Sequence, residues 1–209
     1  LYLSIPNTGN MSHWLEDAER NATVRKLSEK EERIRQKMLR VQENYTGVKT
    51  LYDPFIDGLY TLINRANNLP GERRRLFGMI DARPRSSKLD NQLNIFSSSR
   101  KLEPRKLFGL LPPLFPVQMR LVRAVFISVS DKPGMIGIEF KEKRSRKRRD
   151  NGLHEHYRGG IHVLHSFKAE SLSDELSLEI IDWLAFSADL KDLSYLLSHT
   201  GKTRIINAD

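Results

Sequence analysis

Between Lys141 and Arg149 the chain sets seven Lys or Arg residues and one Glu in nine positions (KEKRSRKRR). Lys141, Lys143, Arg144, Arg146, Lys147, Arg148 and Arg149 there supply a net +6 of the chain's +9. Clustered guanidinium and ammonium groups neutralise phosphates and release their counterions. Each such contact adds affinity that falls as salt rises. A strand-like run from Met135 to Phe140 leads into the cluster, the turn signal Asp150-Asn151-Gly152 follows it, and a second strand-like run begins near Tyr157. The spacing predicts a β-hairpin with a basic tip over 141–152, a shape that reaches a nucleic-acid groove. The plainer alternative is a solvated loop, or a dock for an acidic protein.

A second basic group, Arg73, Arg74 and Arg75 with Arg83, Arg85 and Lys88, falls in an irregular stretch. On the face of the hairpin it would make one continuous patch; on the opposite face it would not. Phe96, Phe108 and Tyr157 lie near these clusters. They are candidates for stacking on bases, with service in the core as the ordinary alternative.

His154, His156, His162 and His165 are close in sequence. A His-x-His on a strand puts two imidazoles on one face, as a zinc site requires. His162 and His165 have opposite parity, so the four do not converge from one flat strand. They read as polar-face residues, and no metal or cofactor is expected. The chain has no cysteine, which excludes disulfides, thiolate catalysis and Cys-based zinc sites. Ser97-Ser98-Ser99 has no His and Asp at interpretable spacing, and neither Gly159-Gly160 nor Gly201-Lys202-Thr203 carries a phosphate-loop pattern. Binding is therefore expected in preference to catalysis.

These residues need elements to hold them. Residues 12–69 read as a helical arm. From Ile34 the apolar positions Met38, Val41, Tyr45, Val48, Tyr52, Phe55, Leu59, Leu62, Ala66 and Leu69 follow alternating steps of four and three. That stripe predicts packing against another helix, in this chain or a second copy. Gly47 and Asp53-Pro54 predict a kink, or two helices nearly in line. Asn94 to Ser98 fits a short edge strand, and Leu107 to Leu111 a segment packed on the core.

Residues 117–168 alternate as an antiparallel meander. Met119, Leu121, Val125, Ile127 and Val129 share one face of the first strand; Ile136, Ile138 and Phe140 share one face of the second. Asp131-Lys132-Pro133-Gly134 is a turn, and Gly159-Gly160 predicts a bulge. Ser173 fits the N-cap of a final helix whose apolar face is Leu176, Ile180, Ile181, Trp183 and Leu184. A shorter helix with Leu190, Leu193 and Leu197 follows.

The expected class is α+β: a tail over 1–11, the arm over 12–69, a compact domain over 72–198 with three or four strands, and a tail over 199–209. Met11 reads as the natural start. No run is long and apolar enough for a transmembrane segment, and the missing cysteine fits a cytoplasmic protein. The expected partner is nucleic acid or another polyanion. The alternative is an assembly subunit that self-associates through the arm, its basic tip on an acidic protein or an anionic membrane surface.

Overall fold

A computed structural model describes residues 11–74, 77–84, 93–102, 118–147 and 155–205. Helix α1 spans Met11–Asn67. Six strands follow: β1 Ile80–Pro84, β2 Leu93–Leu102, β3 Gln118–Val129, β4 Met135–Lys147, β5 Glu155–Lys168 and β6 Lys202–Ile205. Helices α2, Asp174–Leu184, and α3, Ser194–His199, lie between β5 and β6. The strands form one antiparallel sheet in chain order. The class is α+β, as expected, with a larger sheet.

Alternation sets the two faces. In β3, Leu121, Val125, Ile127 and Val129 are buried; opposite them in β4, Ile136, Ile138 and Phe140 are fully buried. α1 and α2 lie on this face. Tyr60 meets Phe96 edge-on at 5.3 Å between ring centres, and Trp183 meets Phe140 at 5.1 Å. Trp183, at 1% exposure, is core, with Ile180 and Leu184. Burying a large aromatic there is among the strongest terms available to a domain of this size. Ser173 caps α2, its Oγ accepting from the Leu176 N–H at 3.3 Å, and Asp174 and Glu175 sit in the first turn where the helix dipole favours them.

α1 runs unbroken through Gly47 and Pro54. Asp53 is no cap; its carboxylate accepts from the Tyr45 hydroxyl at 2.9 and 3.1 Å. The apolar stripe divides in two. Val48, Tyr52, Phe55, Leu59 and Ile63 are buried against the sheet and α2. Upstream, Leu27, Ile34 and Met38 are exposed. The stripe's partners are thus α2 and the sheet of this same chain, and only for its second half. The arm and the compact domain share a core. Asn44 fastens them together: its Nδ2 donates to the carbonyls of Ser130 (2.9 Å) and Met135 (3.0 Å), and its Oδ1 accepts from the Gly134 N–H (2.7 Å). Gly134 has φ +69°, the left-handed conformation that this turn assigns to glycine.

Two other expectations change. The segment at 94–98 belongs to a ten-residue interior strand, paired with β1 and β3. The edge is β1, which ends at Pro84, where a missing N–H costs the ladder least. The terminal tail contributes β6, whose four residues are all exposed and add to β5 by backbone pairing. Residues 1–10, Leu107 to Leu111 and 148–154, with the expected turn at Asp150 to Gly152, lie outside the described residues.

Candidate nucleic-acid interface

β4 extends through Lys147, paired on one side with β3 and on the other with β5. Lys141 to Lys147 are therefore ladder residues and not a tip. Over Lys141 to Arg144 the alternation of the strand continues, so these side chains divide between the two faces. Gly159-Gly160 makes this possible. The register slips by one residue between Lys143 and Arg144, so that Arg158 stands opposite Arg144. A Cβ on Gly160 would sit 2.0 Å from the Glu142 carbonyl oxygen, so only glycine fits this bulge.

The expected site residues then separate. Lys141 is engaged on the sheet face that no described helix covers: its ammonium lies 3.1 Å from Glu139 and 4.4 Å above the Phe126 ring. Glu139 also pairs with His162. Lys143 and Arg144 are exposed. Arg146 and Lys147 continue β4 beside Met119 and Gln118. Arg73 is exposed in the turn after α1. Arg75, Arg148 and Arg149 lie outside the described residues. Phe96 is fully buried and stacks on no ligand. His162 and His165 occupy opposite faces, and no group of three metal-ligating side chains occurs among the described residues.

Arg74, from the second basic cluster, is held by backbone carbonyls. Its Nε donates to the Leu69 carbonyl at 2.8 Å and its Nη1 to the Gly78 carbonyl at 3.0 Å. These bonds close the 69–78 loop against the end of β2, where the Gly78 N–H reaches the Ser99 carbonyl at 3.5 Å. The loop and the ends of β2 and β3 enclose a cavity of about 400 Å³ lined by Arg74, Phe77, Gly78, Ser99, Arg100, Lys101 and Arg120. Four of these seven are cations and none is a carboxylate.

Register extends the group across the sheet. Lys101 stands opposite Arg120, and Arg100 lies in one row with Leu121, Arg144 and Arg158. Two strand spacings separate Arg100 from Arg144, about 9–10 Å. Arg74 of the second basic cluster and Arg144 of the first thus occupy the same end of one sheet, while Arg83, paired with Ile95, lies toward the other end. Arg100, Lys101 and Arg120 complete that end, and sequence reading did not single them out. Their signal is weak: two basic residues after a serine run, and one before an apolar strand. Only the pairing brings them together.

Arg123 is the opposite case. At 5% exposure it is buried and tied on all sides. It contacts Glu142 at 2.6 Å and Asp189 at 2.7 Å, and donates to the carbonyls of Trp183 and Ala188 at 2.8 Å each. The Trp183 carbonyl lies at the end of α2, where the dipole favours a cation, and also accepts from the Phe186 N–H at 3.1 Å. The guanidinium also covers the rings of Trp183 (5.0 Å) and Phe186 (4.8 Å). Phe186 holds a left-handed φ of 60° just past the helix end, which places its ring against both Arg123 and Arg100, the latter at 5.1 Å. The buried arginine thereby braces one wall of the cationic cavity.

No protein-family model matches this chain, and no curated protein or solved structure is similar to it.

Proposed function

We propose that this protein binds a polyanion, RNA or DNA phosphates first, through the cationic end of its sheet. One observation carries the reading: antiparallel pairing gathers Arg74, Arg100, Lys101, Arg120 and Arg144 from four separate segments at one end. Like charges set directly opposite one another, as at Lys101 and Arg120, cost stability in a sheet. An anion bound between them offsets that cost. The reading is one of binding, because the buried polar side chains Arg123, Asn44 and His165 are each committed to internal contacts. Sequence preference is weak in this reading, since phosphate contacts carry no base identity.

A second reading, an assembly subunit, draws on the exposed Val24, Leu27, Ile34, Met38 and Leu39 of α1. Titration of labelled mixed-sequence RNA and DNA at low salt separates the two. Polyanion binding predicts a Kd on the order of 1 μM or tighter, weakening as salt is added. An assembly subunit leaves both nucleic acids unbound at micromolar protein.

A further inference from the structure

A flat cationic surface is enough to hold a polyanion, but this protein has a cavity as well. We infer that the space between the 69–78 loop and the ends of β2 and β3 is a discrete site for a phosphate monoester, either the terminal phosphate of a strand or a free nucleotide. The inference extends the polyanion reading from a surface to a pocket and stands without it.

Size comes first. At about 400 Å³ the cavity lies in the lower part of the range for small-ligand sites, about 300–1,000 Å³. That is room for one nucleotide and not for a duplex. Charge comes next. Arg74, Arg100, Lys101 and Arg120 line it with no carboxylate among them. A monoester carries about −1.5 to −2 at pH 7, where an internal phosphodiester carries a single charge. Cations drawn from the loop and from both faces of the strand ends, with no carboxylate beside them, match the former better.

Two of the cations are positioned in advance. Arg74 spends Nε and one Nη1 hydrogen on the Leu69 and Gly78 carbonyls, which fixes its plane and leaves three of a guanidinium's five N–H groups for other partners. Arg100 rests on the Phe186 ring, itself braced by Arg123. Groups immobilised before the ligand arrives lose little entropy on binding it. Lys101 and Arg120, exposed and cross-strand, reach the cavity from the sheet face opposite Arg100, and an anion between them relieves their mutual repulsion. Ser99 adds a hydroxyl, and the buried Phe77 an apolar wall.

The test uses the full chain and a short labelled single strand, prepared with a 5′-phosphate and with a 5′-hydroxyl. The phosphorylated strand should bind at least about tenfold tighter, the range of a charge-assisted contact. Unlabelled adenosine monophosphate and inorganic phosphate, titrated separately, report on the free ligand. Lys101→Ser and Arg120→Ser should each bring the ratio between the two strands toward one, whatever happens to absolute affinity; melting curves check that both variants fold. Binding of the free nucleotide with no binding of either strand would assign the pocket to a small ligand and end the polyanion reading. Equal affinity for the two strands, with neither adenosine monophosphate nor phosphate bound at millimolar concentration, would overturn the pocket and leave the polyanion reading standing.

Discussion

The two ends of the sheet follow opposite rules. At the β3–β4 turn the core-facing row is Val129, Ile136 and Phe167, all buried. Asn44 bonds three backbone polar groups of that turn, at Ser130, Gly134 and Met135. At the other end the corresponding row is Leu121 and Arg144, the neighbouring segments add Arg74 and Arg100, and Lys101 and Arg120 lie on the other sheet face. The crossover falls at Arg123 and Glu142, a buried pair between the apolar rows and the charged ones. One end is built to hold the fold. The other concentrates charge, much of it on Lys101, Arg120 and Arg144, which stay exposed.

Arg123 and Arg120, three residues apart in β3, give the sharpest form of this comparison. Arg123→Ala removes four bonds and leaves Glu142, itself mostly buried, without its partner. The expected loss is about 3 kcal/mol, the lower part of the range for breaking a buried ion pair; Asp189 is exposed and adds little. Arg120→Ala should change stability by no more than about 0.5 kcal/mol, and relief of repulsion from Lys101 favours a small gain. Urea unfolding of the two variants measures both. Comparable losses would mean that the cationic end is structural after all.

A smaller effect tests the apolar end. His165 is buried, within hydrogen-bond reach of the Thr200 and Thr203 hydroxyls at 3.0 and 3.1 Å, and packed beside Phe140 and Phe167. Burial lowers its pKa from the ordinary 6.5. The unfolded chain therefore binds this proton more readily than the folded one. The stability that His165 contributes is fully present above pH 6.5 and declines as pH falls below it. Unfolding midpoints measured from pH 7.5 downward should fall more steeply in the wild type than in His165→Gln. Parallel curves would show that the site does not shield its imidazole.

Much of this was legible in the residues. Alternation located β3, β4 and β5, the Asp131 to Gly134 turn and the α2 face. The glycine pair marked the bulge, and the density of Lys and Arg marked β4 and the 69–78 loop. A signal at Arg123 also existed, since it shares parity with Leu121, Val125 and Ile127; a charge in a core-facing position implies a buried partner. β1 and β6 were not legible, being short, polar and joined through the backbone. The continuity of α1 was not legible either, because packing of its second half overrides the local cost of Pro54. The cavity was the least accessible feature. Its seven lining residues come from three segments, and only strand register puts Lys101 beside Arg120.

The most direct test of the central claim is the salt dependence of duplex binding. If four cations at this end of the sheet contact phosphates together, the log–log slope of affinity against salt should be about −3.6. The triple substitution of Lys101, Arg120 and Arg144 by Ser should flatten it to about −0.9, with the unfolding midpoint little changed. A slope that stays near the wild-type value in a folded triple variant, or a wild-type protein that does not bind, would contradict the assignment of the cationic end as a phosphate-binding surface.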